Sequence, residues 1–383
     1  MNKVKYKLVM IVLIVSLCSG FLFWKLEPAK NLSKQDFFIG IDTAYDNVED
    51  IKKLVDKVKF YTNFFGIGSS GITFNRTKLD EICQYVYDSG LYFMVYKHPT
   101  EKINQSQWIA DARQRWGNHF LGIYLFDEVG GRQIDLDKYV LMKEADNYTD
   151  AANKYVSILD EKLKEYTEDE MNVNDLLLFT GDYALYWFDY EARFDVVLSE
   201  FGWNHSRLLN VALNRGAAKM HNKDWGVIIT WTYNAPPYLE SASELYHDMI
   251  LAYLSGAKYV IILNYSPEKI TSHGIVSEEH FDAIKQFWSY IHANPQRAEM
   301  YTPPGTQIAY ILPKDYGWGF RGYEDRVWGF WLDETSIKIG TDVNYLLHTS
   351  PLGLDIIYDD PKYYDQMQVY SKLIFWNETV TIP

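Results

Sequence analysis

Cysteine is nearly absent from this chain of 383 residues: Cys18 lies in an apolar N-terminal run, and Cys83 is the single cysteine beyond it. No intradomain disulfide can form, so the fold rests on its apolar core. Positive charge is also short, with 37 Lys and Arg against 51 Asp and Glu and a formal net charge of −14. No basic stripe is visible, which excludes a nucleic-acid partner. The nine His are scattered, with no His-x-x-His or His-Glu-x-x-His and no calcium-loop spacing, so neither a metal nor a cofactor is expected. A Gly-x-Ser-x-Gly elbow is missing too, which disfavours a serine hydrolase.

Apolar and aromatic residues are plentiful. Hydrophobic residues make up 48% of the chain and charged residues 23%, enough to bury a large core. Aromatics reach 16%, with 12 Trp and 31 Tyr, a surplus that serves a core and also supplies flat faces on which sugar rings stack. Leu8 to Trp24 is an uncharged, mostly apolar stretch behind Lys3, Lys5 and Lys7. It reads as an uncleaved membrane anchor with its basic end in the cytoplasm, or else as a cleaved signal. Leu17 before Cys18 argues against a lipidated cysteine. The expected location is the cell membrane, single-pass with an extracellular C-terminal part, or the medium if the segment is cleaved. Asn-x-Ser/Thr occurs at Asn31, Asn75, Asn104, Asn147, Asn204, Asn264 and Asn377, the pattern of an exported glycoprotein, with Asn204 and Asn264 expected to stay unmodified.

Residues 1–35 form the anchor and a polar linker. From Asp36, apolar runs alternate with amphipathic segments in the rhythm of βα units, and this predicts a (β/α)8 barrel over residues 36–302. Predicted strands begin near Phe37, Phe64, Leu91, Leu121, Leu176, Asp195, Trp225 and Tyr259. The helix after the fourth is expected only from about Ala151, leaving a long loop to wall a cleft. Tyr183 to Phe194 is a dense aromatic patch. Pro303-Pro304-Gly305 marks a boundary, and residues 303–383 read as a small doubly wound α/β domain. That tail has no Gly-x-Gly-x-x-Gly loop, so its role is taken as structural or oligomerising.

Two strands end abruptly in acid: Phe120 to Phe126 runs into Asp127-Glu128, and Asp195 to Ser199 runs into Glu200. Packing requires the apolar runs, but not a glutamate at the C-terminal tip, where barrel enzymes place their chemistry. Glycosidic hydrolysis needs one carboxylic acid to protonate the leaving oxygen and one carboxylate as nucleophile or base. Glu128 and Glu200 are the candidate catalytic pair. Strand alternation lets only one of Asp127 and Glu128 face the axis fully. Asp42, Asp127, Asp182, Trp203, Trp231, Tyr233 and Asn264 are candidate substrate contacts, and Lys97 and His98 lie at another strand end. The competing reading is structural: these acids cap helices or pair with Arg132, Arg207 or Arg215, and the aromatics pack a rim.

The motifs Gly122-Ile-Tyr-Leu-Phe-Asp127-Glu128-Val-Gly-Gly131, Ser199-Glu200-Phe-Gly-Trp203 and Trp225-Gly-Val-Ile-Ile-Thr-Trp231 resemble those of TIM-barrel glycoside hydrolases over about residues 36 to 300. The tail, with Ile308-Ala-Tyr-Ile-Leu-Pro313 and Asp355-Ile-Ile-Tyr-Asp359, resembles the flavodoxin-like trimerisation domain that follows the barrel in some β-galactosidases. The best-known clan of barrel glycosidases carries Asn-Glu on strand four and a Glu on strand seven. Here strand four has Asp127-Glu128 and strand seven ends in Thr230-Trp231. α-Galactosidase-like barrels take carboxylates from strands four and six, and the chain is similar in that placement. The resemblance implies a hydrolase of extracellular or cell-surface glycans, with an oligosaccharide or polysaccharide as partner and a possible homo-oligomer through the tail. A non-catalytic carbohydrate-binding barrel and a scaffold for a surface assembly are the alternatives.

Overall fold

The apolar runs pair in chain order. The computed structural model describes residues 37–97, 105–140, 144–166, 175–265, 270–295, 307–319 and 325–380. The expected anchor at residues 8–24, His98, Asn31, Asn104 and the Pro303-Pro304-Gly305 boundary lie outside these residues. Among the described residues, no helix is long and apolar enough to cross a membrane.

Eight strands, β1 (Phe38–Ala44), β2 (Phe64–Ile67), β3 (Tyr92–Tyr96), β4 (Phe120–Tyr124), β5 (Leu177–Asp182), β6 (Val196–Phe201), β7 (Asp224–Ile229) and β8 (Tyr259–Tyr265), close into a parallel barrel in sequential order. Helices alternate with them: α1 (Val48–Val58), α2 (Arg76–Asp88), α3 (Gln105–Trp116), then α4 (Val129–Leu136) and α5 (Tyr148–Leu163), both between β4 and β5. α6 (Tyr186–Glu191), α7 (Arg207–His221), α8 (Ala242–Leu254) and α9 (Glu278–Ala293) complete the ring. The (β/α)8 expectation is met.

Local sequence explains each unit. In α1, Asn47 accepts a hydrogen bond from the Asp50 amide at 3.1 Å, and Ile51, Leu54, Val55 and Val58 fall on one buried stripe. Trimming Leu54 to Ala opens a void on that stripe, at a cost of about 2–5 kcal/mol. Barrel strands alternate, so inward positions recur every second residue. Phe38, Phe64, Val196, Leu198, Tyr259 and Ile261 plug the lower barrel, with Phe38 stacked on Tyr259 at 5.0 Å. The same period carries the chain from Phe38 through Gly40 to Asp42, and from Val196 through Leu198 to Glu200. Both acids therefore belong to the uppermost inward layer.

The long loop predicted after β4 contains a helix. Gly130 and Gly131 disguise α4 in the sequence, since glycine weakens helices. It forms because the buried Asp182 accepts its first free amides, Gly130 N at 2.5 Å and Gly131 N at 2.9 Å.

Beyond the barrel, β9 (Ile308–Leu312), α10 (Thr335–Thr349), β10 (Leu354–Tyr358) and β11 (Lys372–Phe375) build a parallel three-stranded sheet in the order β10-β9-β11. Tyr310 donates to Asp342 of α10 at 3.0 Å. Asp355, which alternation turns to the opposite face, receives Arg215 Nε of α7 at 2.6 Å. The sheet thus lies between its own helix and a barrel helix. Of the aromatic patch of residues 183–194, Tyr186, Trp187, Phe188, Tyr190 and Phe194 are buried: Trp187 meets Tyr358 at 5.1 Å and Phe188 meets Trp328 at 4.7 Å.

Candidate active site

At the C-terminal mouth of the barrel, a cleft of about 370 Å³ is lined by Asp42, Asp127, Glu128 and Glu200, with Tyr96, Tyr124 and Trp231 as its aromatic surfaces. Ser70, Thr230, Ile228 and Leu263 fill the spaces between them. The two predicted catalytic glutamates therefore share one hollow.

Glu200 is its deepest acid, only 5% exposed. Among the described residues its carboxylate has no hydrogen-bond or ion-pair partner; its main-chain carbonyl accepts from Asn210 Nδ2 at 3.1 Å. Burial first, then the charges of Asp127, Glu128 and Asp182, push its pKa well above the ordinary glutamate value.

Asp127 and Glu128 both reach the cleft, although alternation predicted a choice between them. Regular strand stops at Tyr124, and Phe126 (φ 54°) and Glu128 (φ 55°) adopt left-handed backbone that breaks the two-residue period. Such geometry is costly for non-glycine residues and concentrates at functional sites. Tyr124 donates its hydroxyl to Asp127. The absent side chain at Gly181 makes that possible, because a Cβ there would lie 2.5 Å from the Tyr124 oxygen. Arg132, one helical turn beyond Glu128, places Nε 3.3 Å from Glu128 and a terminal nitrogen 3.9 Å from Asp127. Side-chain exposures of 35% for Arg132, 32% for Glu128 and 43% for Asp127 show that this cluster still meets water through the cleft. Burial raises both carboxyls, and Arg132 opposes the rise. For Glu200, Arg132 is the weakest of the influences.

Asp42 is raised to about 7, by burial and then by Asp127. Its carboxylate occupies the space that side chains at Gly66 and Gly68 would fill, with a Cβ there at 2.3 and 2.8 Å. Asp46 fills the corresponding space at Gly71. The Gly66-x-Gly68-x-x-Gly71 spacing, seen also in phosphate-binding loops, here accommodates carboxylates, which would repel a phosphate.

The remaining candidates divide. Trp231 lines the cleft, braced edge-on by Tyr238 at 4.9 Å and by Tyr265 at 5.5 Å. Trp203 stands beside it, its amide donating to the Trp231 carbonyl at 2.7 Å, but is not part of the lining. Tyr233, 46% exposed, lies further out on the same loop. Asp182 is fully buried and committed to four backbone amides, those of Gly130, Gly131, Tyr183 and Ala184, so the structure gives it to α4 and not to a ligand. Asn264 points away from the axis, bonded to the Tyr45 hydroxyl and the His273 carbonyl, each at 2.8 Å. Lys97 is buried over the Trp108 ring at 4.7 Å. Arg207 pairs with Glu240 and Asp248, and Arg215 with Asp355, so of the three arginines only Arg132 reaches the candidate acids.

Tyr96, Tyr124, Thr230 and Arg132 were not singled out from sequence as site residues. Tyr124 was within reach, because it sits two residues beyond Gly122 on the inward face of β4. Arg132 was recognised only as a competitor for the acids; its place follows from α4, which the glycine pair concealed.

No family model matches the chain, and no curated protein does. Solved structures do. A β-galactosidase from the psychrophilic Marinomonas ef1 aligns over 88% of this chain and 75% of its own, at 9% identity and a TM-score of 0.54. α-L-Fucosidase isoenzyme 2 from Paenibacillus thiaminolyticus aligns over 88% of this chain and 59% of its own, at 10% identity and a TM-score of 0.53. The catalytic module of a family 98 glycoside hydrolase from Streptococcus pneumoniae, in complex with the H-disaccharide blood group antigen, covers 90% and 66%, at 10% identity and a TM-score of 0.50. The chain thus spans less than two thirds of the second and third of these proteins. At such identities the likeness is one of architecture: this chain is a TIM barrel of the kind on which these glycoside hydrolases are built.

Proposed function

We propose that the protein is a glycoside hydrolase, tethered to the cell membrane by residues 8–24 and acting on extracellular or cell-surface glycans. The observation that carries this reading is the pairing of a buried Glu200, without a hydrogen-bond or ion-pair partner among the described residues, with an Arg132-flanked Asp127-Glu128 cluster in one open cleft. Glu200 donates its proton to the glycosidic oxygen as the C–O bond breaks, and the electron pair leaves with that oxygen. Glu128 supplies the carboxylate, either adding to the anomeric carbon or taking a proton from the water that does. Overall, one water is consumed: its hydroxyl goes to the sugar and its proton returns the acid pair to its starting state. Trp231 and Tyr96 offer faces for sugar rings. The tail, read as a small flavodoxin-like α/β domain, would serve a homo-oligomer.

Turnover of a panel of aryl glycosides and oligosaccharides by the full chain tests the reading. Glu128→Gln should abolish hydrolysis across the panel, and Glu200→Gln should abolish it for oligosaccharides, whose leaving oxygen needs a proton, each while retaining sugar binding; full activity of either variant on oligosaccharides sinks the assignment. The alternative of a non-catalytic carbohydrate-binding barrel draws on one observation, the Arg132–Glu128 contact at 3.3 Å. It predicts sugar binding with no turnover by the native protein.

A further inference from the structure

We infer that the glycan taken by this cleft carries free, protonated amino groups, as in a de-N-acetylated hexosamine oligosaccharide. This rests on the hydrolase reading and names its substrate class.

The cleft is unbalanced in its ionisable groups. Among the described residues, the lining holds four carboxyl groups, on Asp42, Asp127, Glu128 and Glu200, and no Lys, Arg or His. Arg132 approaches only Asp127 and Glu128. Cleavage of a glycosidic bond uses two carboxyl groups. Asp42, on β1, is surplus to that chemistry and, among the described residues, has no basic side chain against it. The Glu200 carboxyl, in a residue 5% exposed and lining the same hollow, likewise has no hydrogen-bond or ion-pair partner among the described residues.

A sugar hydroxyl brings one donor and no charge. An ammonium brings three donors and the positive charge that this surface lacks. The rings of Tyr96, Tyr124 and Trp231 complete a lining that favours a cation, because aromatic faces attract positive charge. The net charge of −14 steers a polycation towards the protein and a polyanion away from it. Uronate, sulfate or phosphate polymers would meet a lining of carboxyl groups with no basic side chain among the described residues, and are disfavoured. Asp42 is assigned as the specificity residue for the amine.

Calorimetric titration of the detergent-solubilised full chain, with Glu200→Gln to prevent turnover, tests the inference. The probes are one hexosamine oligosaccharide in free-amine and fully N-acetylated forms, and its neutral hexose counterpart. The free-amine form should bind at least about tenfold more tightly than either, with the advantage shrinking at high salt. Adding Asp42→Asn, which keeps the shape and removes the charge, should erase most of the preference. Equal or tighter binding of the N-acetylated or neutral form, no binding of any form, or a preference untouched by Asp42→Asn each overturns it. Hydrolysis of neutral glycosides by the native chain without regard to amines would also overturn it while leaving the hydrolase reading intact. Amine-selective binding with no cleavage by the native chain sustains the inference and removes the hydrolase reading.

Discussion

At the scale of single residues, the site is a problem of protons. Four carboxyl groups share one hollow, so they cannot all ionise at low cost, and the pKa of the best buried of them, Glu200, is pushed well above the ordinary glutamate value. Asp127 is the strongest neighbouring charge on Glu200. Asp127→Asn should therefore lower the Glu200 pKa and move the alkaline limb of the pH–rate profile to lower pH. An unmoved limb would show that the profile reports some other group. Asp42, raised to about 7, links the site to stability. Between the ordinary aspartate value and about 7 the folded protein holds a proton that the unfolded chain has released, so this contribution is complete below the unfolded pKa and is lost as pH rises. In Asp42→Asn, the fall in melting temperature between about pH 5 and about pH 8 should be smaller than in the native protein, and an identical fall contradicts the assignment.

Secondary-structure elements set the geometry, and α4 matters most among them. It holds Glu128 at its N-cap and Arg132 one turn on, and it is fastened to β5 through Asp182. Removing that carboxylate by Asp182→Ala strands several amides, a loss of about 2–4 kcal/mol in urea denaturation. A loss near zero would mean that α4 needs no anchor. This element also marks where the sequence stops being legible. The barrel strands could be read because apolar runs and turn residues recur at even intervals. Glu200 and Asp42 could be placed because an unbroken period of two carries each inward. Asp127 and Glu128 could not both be placed, since left-handed residues interrupt the period. Asp182 and Asn264 looked like site residues because a polar side chain at a strand tip serves a loop as readily as a ligand. The choice depends on partners distant in sequence.

For the whole molecule, the decisive contact is between barrel and tail. Asp355 is fully buried between Arg215 and Lys219 of α7, and Tyr370 donates to it at 2.8 Å. Burial alone would raise its pKa, but the two cations outweigh it and hold the carboxyl below the usual range. Its stabilising share is present above the unfolded pKa and is lost as pH falls through the depressed value, opposite in sign to Asp42. Asp355→Ala leaves Arg215 buried without its partner, and chemical denaturation should register a loss of about 3–5 kcal/mol. A much smaller loss would mean that the sheet docks on α7 mainly through its apolar face. The same docking covers Trp187 and Phe188, and it explains why most of the aromatic patch of residues 183–194 belongs to the core.

The most direct test of the account is the dependence of rate on the leaving group. If Glu200 is the proton donor, Glu200→Gln should lose about 10²–10⁴-fold on alkyl glycosides, whose leaving oxygen needs a proton, and far less on aryl glycosides with strongly acidic phenols. Glu128→Gln should lose activity on both alike. Equal losses for both substrate classes in Glu200→Gln, or none, would contradict the role given to the buried acid at the mouth of the barrel.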